Sequence, residues 1–378
     1  MVKTRYKYDG AGAFKIREFD TNETGEFKSR EEALDAFVNN LKKIHKLQQA
    51  LYAERKEGVV FIFQAMDAAG KDGVIRTVFS TLTPHGVKEF CFKVPSAEEL
   101  SHDFLWRFWS ALPAKGHISI FNRSYYESVL VEKVHNLWQS QPLPDRCKSD
   151  NIMEQRYEQI NEFEKYLYST GTRVVKIFLN VSKEEQARRF VARVDTPRKN
   201  WKLSVNDIKE RKYWNDYMDA FELAINNTAK RRAPWFVVPA DHKWYARYLV
   251  SEIVLDTLRS MKPQYPVVED DEYEELCQIR SVLVDEMGGK SAQQYSKLTP
   301  FEKSSEVAVD ICVNSEQKKI SEEKLKKEGF DGVRKLLAKG YILKSPADIV
   351  DMVADSFDDD DAEIDAIAEK ISKDDTEE

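Results

Sequence analysis

The stretch from Val59 to Gly73 (VVFIFQAMDAAGKDG) constrains the fold of this chain more than any other. A run of apolar, strand-forming residues ends in a loop of small residues, and a Gly-Lys pair then opens a helical pattern. The backbone N–H groups of such a loop and the N-terminus of the helix can surround a phosphate while the Lys reaches it. The sequence therefore predicts a phosphate cradle around Lys71, formed by Ala68, Ala69, Gly70, Asp72 and Gly73.

This loop departs from the common phosphate-binding pattern G-x-x-x-x-G-K-[ST] at two positions. Ala65 stands where the first Gly would be, and Asp72 replaces the Ser or Thr whose hydroxyl would bind Mg²⁺. Mg²⁺ prefers one or two carboxylates together with phosphate oxygens. We therefore expect Asp67 to hold the metal, directly or through water, or to orient an acceptor phosphate. The alternative is a loop Asp that only caps the following helix.

Strand and helix patterns alternate along the chain up to about residue 262. Strands are predicted at Val59–Phe63, Val87–Val94, His117–Phe121, Thr172–Val181 and Trp235–Pro239. Two of the predicted helices are long and uninterrupted, one from Ser96 to Leu112 and one from Ser204 to Thr228. Such alternation predicts an α/β fold, with a parallel sheet that helices cover on both faces. Ligands of these sheets bind beyond the carboxyl ends of the strands, where the Gly70-Lys71 loop and the Asn122-Arg123 turn both lie.

The turn after the strand that ends at Phe121 supplies further candidate ligands for a phosphate or a nucleotide. The guanidinium of Arg123 can clamp phosphate oxygens in a bidentate manner, or it can form an ion pair within the fold. Asn122 offers a neutral oxygen, and Glu127 can accept hydrogen bonds from a base or a ribose, although a solvated helix face is nearly as plausible. Arg76 either faces the phosphate path or the solvent.

A cationic segment follows the strand that ends at Val181, and Pro197 breaks the helix within it. Its cations include Arg189, Arg193, Lys199 and Lys202. Positive charge on a hinged segment suits a lid, at about residues 188–230, that closes over phosphates and excludes water. Taken alone, such a run of charge is more often a solvated face.

The composition argues against several classes of protein. The four cysteines are far apart and form no C-x-x-C pair, so we expect neither a disulfide framework nor a zinc site. We expect a cytoplasmic location instead. The N-terminus lacks the apolar segment of a signal peptide, and no run approaches the roughly 20 apolar residues that span a bilayer. We therefore expect no membrane partner.

The net charge of −7 is unevenly distributed along the 378 residues. Residues 355–378 contain 12 acidic and 2 basic residues, which leaves residues 1–354 with a charge of +3. A mildly basic body suits an anionic substrate and does not resemble a strongly basic nucleic-acid binder. The patterns predict one α/β domain over residues 1–266 and a helical appendage over residues 267–378 with an acidic, disordered end.

Three long motifs together resemble the polyphosphate kinase 2 family. They are FQAMDAAGKDG, LWRFWSALPAKGHISIFNRSYYESVLVEKVH and EQARRFVARVDTPRKNWKLSVNDIKERKYWNDYMDAFE, and they occur in the family's order across about residues 30–262. The resemblance implies a P-loop kinase fold similar to thymidylate kinase, with a helical lid. It also implies Mg²⁺-dependent, reversible transfer of phosphate between inorganic polyphosphate and nucleotides. Residues 268–378 lie outside the resemblance and inherit nothing from it.

The same resemblance implies roles for individual residues. Asp67 and Lys71 match the family's loop Asp and Lys, Arg123 matches its Arg after the second motif strand, and Arg189 and Arg193 match its lid arginines. Members that act mainly on diphosphates tend to carry Asp at the position of Asn122. The form FNRSYYE, together with Ala65, is therefore similar to the subgroup that phosphorylates both AMP and ADP. The expected partners are polyphosphate and adenine nucleotides, and guanine nucleotides stay an open case. We also expect further copies of this chain in a homo-oligomer.

Two other functions stay open on the sequence alone. An ATP-dependent nucleotide kinase of the thymidylate-kinase type would use the same fold and the same loop. A protein that binds polyphosphate or a nucleotide without turnover would need no catalytic residues, although the presence of Asp67, Lys71 and Arg123 argues against it.

Overall fold

The computed structural model describes residues 4–287, and its centre is a six-stranded sheet with the order β1-β6-β5-β2-β4-β3. The strands are β1 (Lys7–Tyr8), β2 (Gly58–Ala65), β3 (Val87–Cys91), β4 (Ile118–Asn122), β5 (Thr172–Asn180) and β6 (Trp235–Pro239). Strands β2 to β6 are parallel to one another, and β1 pairs antiparallel with β6 at the edge. The prediction of a parallel α/β sheet is confirmed, whereas β1 was not predicted.

Eleven α-helices lie within residues 4–287. They are α1 (Arg30–Glu54), α2 (Lys71–Phe79), α3 (Ala97–Ser101), α4 (Trp106–Trp109), α5 (Val131–Val134), α6 (Ile152–Ser169), α7 (Lys183–Asp195), α8 (Val205–Glu210), α9 (Trp214–Thr228), α10 (Lys243–Met261) and α11 (Asp270–Met287). Helix α1 begins where the side chain of Ser29 accepts a hydrogen bond from the N–H of Glu32. Short 3₁₀ turns connect several of these helices.

Helices cover both faces of the sheet because successive side chains of a strand point in opposite directions. Phe61 and Phe63 of β2 contact Phe79 of α2, and α2 and α1 both pack against α10 on that face. On the other face, Phe178 of β5 stacks on Phe221 of α9 at 4.2 Å between ring centroids. Helix α6 packs beside α9 there. The central strands β2, β4 and β5 are almost entirely buried.

Both predictions of a long continuous helix are wrong. The first helix ends at Ser101, and Asp103 then forms a turn whose carboxylate accepts the N–H of Leu105 before α4 begins. Such local bonds compete with helix formation. The second is interrupted between α8 and α9, where Arg211 bonds to the carbonyl of Lys183 in α7. Tertiary contacts of this kind are absent from a local pattern.

The chain continues beyond the α/β body into α11, of which Val284 is the one buried residue. Most of the predicted appendage of residues 267–378 lies outside the described residues. None of the helices within residues 4–287 is both long enough and apolar enough to cross a membrane.

Candidate active site

The loop that follows β2 contains two residues with a left-handed backbone. The φ angle is 63° at Ala68 and 103° at Gly70. Gly adopts this conformation freely, whereas at Ala68 it carries a steric cost that surrounding contacts must offset. The N–H of Ala69 donates to the carbonyl of Met66 at 3.2 Å, and α2 begins directly afterwards at Lys71. The loop is therefore a tight turn into a helix N-terminus, where backbone N–H groups have no partner within the helix.

The ammonium group of Lys71 lies within this loop rather than in solvent. The residue is 9% exposed, and its Nζ donates to the carbonyl of Ala65 at 3.1 Å. Burial and the neighbouring charge of Arg123 lower the pKa of Lys71, and the nearby carboxylates, Asp67 first among them, oppose that change. An anion bound in the loop would favour the charged ammonium and raise its pKa again.

Arg123 connects two acidic residues at the edge of the loop. Its guanidinium donates to Asp67 Oδ1 at 2.8 Å and contacts Glu127 Oε2 at 3.5 Å. The backbone of Arg123 is left-handed, with φ of 65°, and its N–H donates to the carbonyl of Phe63 in β2. Glu127 raises the pKa of Arg123, while burial raises the pKa of Glu127 in spite of the cations beside it. Three predicted site residues from two separate segments thus lie in one cluster.

Asn122, the last residue of β4, bonds to two further carboxylates. Its Nδ2 donates to Asp72 Oδ1 at 3.0 Å and to Glu89 Oε1 at 3.2 Å. Cys91 lies beside Asn122 in the register of β3 and β4, and its thiol also donates to Glu89. Burial, together with Glu89 and Asp72, raises the pKa of Cys91 to about 11. The sequence analysis missed Glu89, because only the register of two strands brings it to Asn122.

Arg189, which the sequence places in the lid, is 6% exposed, and its bonds tie the loop to other parts of the fold. The guanidinium donates to the carboxylate of Glu185 and to the carbonyls of Ala68, Ala69, Ala240 and Asp241. A guanidinium has five N–H donors, and these five bonds use all of them. A direct contact between Arg189 and a phosphate would require the side chain to leave these carbonyls.

The other predicted phosphate ligands are exposed or partly exposed. Asp72 and Arg76 of α2 are exposed, Arg193 and Lys199 are partly exposed, and Lys202 is exposed, with its ammonium group over the ring of Trp201. Their contact with polyphosphate stays a prediction. Helix α9, which occupies the second half of the predicted lid, packs against the sheet and is largely buried. The part of the predicted lid from Trp214 onward therefore belongs to the packed body of the fold.

A cavity beside Asp67 and Arg123 is lined partly by residues that the sequence analysis did not single out. Glu210 at the end of α8 and Tyr217 of α9 both line it. Glu210 Oε2 accepts a hydrogen bond from Tyr217 at 2.7 Å and lies 2.9 Å from Nε2 of His135. His135 is distant in the chain from Glu210 and Tyr217, and although all three lie within the long motifs, no local pattern marked them as lining a site.

The cluster contains more acidic than basic side chains. Its carboxylates are those of Asp67, Asp72, Glu89 and Glu127, and its cations are Lys71 and Arg123. A bound polyanion would be repelled by this excess negative charge unless cations enter with it. Carboxylate oxygens are the donors that hard divalent cations such as Mg²⁺ prefer. Within residues 4–287 no group of three or more His, Cys, Asp or Glu side chains is placed to hold a metal by itself. The residues present therefore fit a divalent metal only as one or two carboxylates that act together with phosphate oxygens, and Asp67, with its side chain about one third exposed, is accessible to one.

The fold and the cluster define a class of protein. A parallel sheet, a Gly-Lys loop at the carboxyl end of a central strand and a neighbouring Arg are the features of a P-loop kinase. The particular family follows from comparison with known proteins: the family model described as "Polyphosphate kinase 2 (PPK2)" matches residues 27–266. The chain belongs to this family, and the predicted polyphosphate-dependent kinase is confirmed.

Individual relatives agree with this assignment. The chain is 46% identical over 260 residues to "ADP-polyphosphate phosphotransferase" of Rhodopseudomonas palustris, a match that covers 68% of this chain and 90% of the relative. It is 41% identical over 266 residues to "AMP/ADP-polyphosphate phosphotransferase" of Meiothermus ruber, a match that covers 70% of this chain and 96% of the relative. The crystal structure of polyphosphate kinase 2 from Arthrobacter aurescens TC1 is similar, with a TM-score of 0.67 and 38% identity over 74% of this chain and 95% of that one.

Proposed function

We propose that this protein transfers a phosphoryl group from inorganic polyphosphate to AMP and to ADP, reversibly and with Mg²⁺. The observation that carries the proposal is the convergence of Asp67, Lys71 and Arg123 at the end of β2, in a chain of this family. The names of the relatives from R. palustris and M. ruber support ADP and AMP as acceptors.

The chemistry requires positioning and charge rather than a proton acceptor. The attacking group is a phosphate oxygen that is already ionised near neutral pH, so no general base is needed. Lys71 and Arg123 would neutralise the charge on the transferring group, and the N–H groups of the loop would fix its orientation. Asp67, and Asp72 at the start of α2, would hold Mg²⁺, which when bound supplies positive charge that offsets the negative charge of the phosphates.

The acceptor specificity is assigned to the Asn122 side of the cluster. Asn122 is neutral, so it adds no further negative charge next to Asp72 and Glu89, on the side where we infer that the acceptor phosphate binds. A less repulsive environment suits AMP as well as ADP, in agreement with the form FNRSYYE. Guanine nucleotides stay an open case.

A donor and acceptor assay tests the proposal. Purified protein is incubated with Mg²⁺ and polyphosphate, without ATP, and with AMP, ADP or GDP in separate reactions, and the nucleotides are then separated and quantified. We expect ADP and ATP from AMP, and ATP from ADP, with no product when EDTA replaces Mg²⁺. Turnover that requires ATP as donor would instead identify a nucleotide kinase of the thymidylate-kinase type, and tight binding without product would identify a non-catalytic binder.

We also propose that the chain forms a homo-oligomer. The side chains of Trp109 and Tyr166 are both exposed, and their ring centroids lie 5.8 Å apart. Burial of this aromatic patch against another copy of the chain would stabilise an interface. Light scattering coupled to size exclusion measures the mass directly. A mass of one chain at micromolar concentration would contradict the proposal.

A further inference from the structure

Three consecutive carbonyl groups of the loop after β2 accept hydrogen bonds from two side chains of α7. Gln186 Nε2 donates to the carbonyl of Asp67 at 2.8 Å. Arg189 Nη1 donates to the carbonyls of Ala68 at 3.1 Å and Ala69 at 2.8 Å. Gln186 is 1% exposed and Arg189 is 6% exposed, so water does not compete for these bonds. Helix α7 therefore fixes the orientation of three successive peptide groups.

The orientation of the carbonyls determines where the N–H groups point. No peptide bond in the described part of the chain is cis, and in a trans peptide the C=O of one residue and the N–H of the next point in opposite directions. The N–H groups of Ala68, Ala69 and Gly70 are thus directed away from α7. That of Ala69 closes the turn on Met66. Those of Ala68 and Gly70 lie next to the N-terminus of α2, where further N–H groups are available for an anion.

Two more contacts hold the side chains of α7 in place. Arg189 Nε donates to Glu185 Oε1 at 2.8 Å, which balances the buried charge, while its Nη2 reaches the carbonyls after β6. Gln186 Oε1 accepts from Arg211 Nη1 at 2.5 Å, and the same nitrogen donates to the carbonyl of Lys183. Since Arg211 takes the oxygen of the Gln186 amide, the NH₂ group must face Asp67.

We propose that Gln186 and Arg189 are positioning residues for phosphoryl transfer, and that Arg211 acts through Gln186. They orient the peptide groups of the loop so that its N–H groups meet the phosphate, and Arg189 does so without touching the substrate. The inference rests on the proposed function, because the loop must bind a phosphate for its orientation to affect turnover. It differs from the role that the sequence suggests for Arg189, which is a direct phosphate contact.

Three variants test the proposal. Gln186→Leu removes both amide bonds, and Arg189→Lys keeps the charge but cannot reach four carbonyls. Arg211→Met leaves the Gln186 amide in place and removes the bond that orients it, together with the bond to the carbonyl of Lys183. The control is Arg173→Lys, since Arg173 pairs with Glu57 and Ser260 at the opposite end of the sheet. For each protein we would measure kcat and KM for polyphosphate, the thermal unfolding midpoint and the calorimetric affinity for tripolyphosphate.

We expect kcat/KM to fall about tenfold to a hundredfold in Gln186→Leu and Arg189→Lys, because small misplacements of preorganised donors have effects of this size. The affinity for tripolyphosphate should fall together with kcat/KM in these two variants. Arg211→Met should lose less of both, and Arg173→Lys should match the wild type in both. The unfolding midpoints of Gln186→Leu and Arg189→Lys should fall, because buried carbonyl groups lose their donors, so turnover and affinity are measured well below each midpoint. A purely structural role would leave kcat/KM and tripolyphosphate affinity unchanged in the folded proteins. If Gln186→Leu does not fold, Arg211→Met tests the same amide.

Two outcomes would overturn the inference. One is wild-type kcat/KM and tripolyphosphate affinity in both Arg189→Lys and Arg211→Met. The other is a loss in Arg189→Lys with none in Gln186→Leu and Arg211→Met, which would assign Arg189 to direct phosphate contact. If the wild-type protein shows no turnover with polyphosphate, the proposed function fails, and the tripolyphosphate titrations alone still decide the role of α7.

Discussion

The ammonium group of Lys71 donates to a carbonyl of its own loop, in a cluster where carboxylates outnumber cations. Substitution by Met keeps the length of the side chain and removes the charge. We expect Lys71→Met to lower kcat by about a hundredfold to a thousandfold, the range seen when one preorganised donor to a developing charge is removed. The measurement is steady-state turnover with polyphosphate and ADP, with circular dichroism as the check on folding.

Lys165→Met is the matched control, because Lys165 is an exposed lysine that pairs with Glu162 on α6. It should retain the activity of the wild type. Turnover close to that of the wild type in a folded Lys71→Met protein would remove Lys71 from the catalytic residues.

Glu127 gives a dependence of stability on pH whose sign follows from its raised pKa. Burial raises the folded-state pKa above the ordinary value of 4.5, so the folded protein holds this proton more tightly than the unfolded chain does. The contribution of Glu127 to the free energy of unfolding is largest below pH 4.5, and it is lost as the pH rises through the folded-state pKa. Glu127→Gln, which stays neutral, should therefore unfold at a higher temperature than the wild type at pH 7.

Thermal unfolding between pH 4.5 and pH 7.5 checks this expectation. The difference between Glu127→Gln and the wild type should shrink as the pH falls towards 4.5, while the exposed Glu158→Gln should show no such trend. A difference that stays constant with pH would show that the carboxylate of Glu127 is not destabilised in the folded state. Activity of Glu127→Gln should fall as well, since Arg123 loses one of its two acidic partners.

At the scale of elements, a buried ion pair holds the turn after β4 against the sheet. Lys176 of β5 donates to Glu164 of α6 at 2.6 Å, and both residues are at most 1% exposed. The other oxygen of Glu164 accepts from the hydroxyls of Tyr125 and Tyr126, at 2.9 Å each. Burial lowers the pKa of Lys176, although the charge of Glu164 opposes this. One carboxylate thus connects α6, β5 and the segment that directly follows Arg123.

We expect Lys176→Met to destabilise the fold by about 3–5 kcal/mol, because it leaves the carboxylate of Glu164 buried without its cation. Urea unfolding of the wild type and the variant measures the free energy of unfolding. The double variant Lys176→Met, Glu164→Gln should recover part of the loss, since it removes the uncompensated charge. A loss below about 1 kcal/mol in the single variant would show that the site relaxes or admits water.

The elements that the sequence predicts correctly are those with a strong local signal. All five predicted strands overlap β2 to β6, although the one predicted at Val87–Val94 ends at Cys91 in the structure. The buried strands agree best, because a run of apolar residues between turn signals depends little on its surroundings. The interruptions at Asp103 and Arg211 were missed, since each depends on a specific side-chain contact. The loop, Lys71 and Arg123 could be found as motifs at strand ends. Glu89, Glu210 and Tyr217 could not, because strand register and helix packing bring them there.

At the scale of the whole molecule, strand order explains why the cluster forms where it does. Strand β2 lies between β5 and β4, so the loop after β2 has the turn after β4 on one side and α7, which follows β5, on the other. The first neighbour supplies Arg123, and the second supplies Gln186 and Arg189. One side of the loop thus meets charged side chains, while the other is held by bonds to its carbonyls. This strand order therefore places the charged side chains on one side of the loop and the donors to its carbonyls on the other.

The family match ends at residue 266, shortly before α11 begins at Asp270. Of the 18 residues of α11 only Val284 is buried, whereas α10, the last helix of the α/β body, buries ten of its side chains. We therefore expect a chain that ends at Pro266 to fold and to keep kcat and KM within about twofold of the full-length values, since surface removals away from the core have small effects. Turnover assays and thermal unfolding of the two proteins decide the question. If the shortened protein keeps its unfolding midpoint but has lost turnover, residues 267–378 act on the site itself. If it fails to fold, they belong to the core.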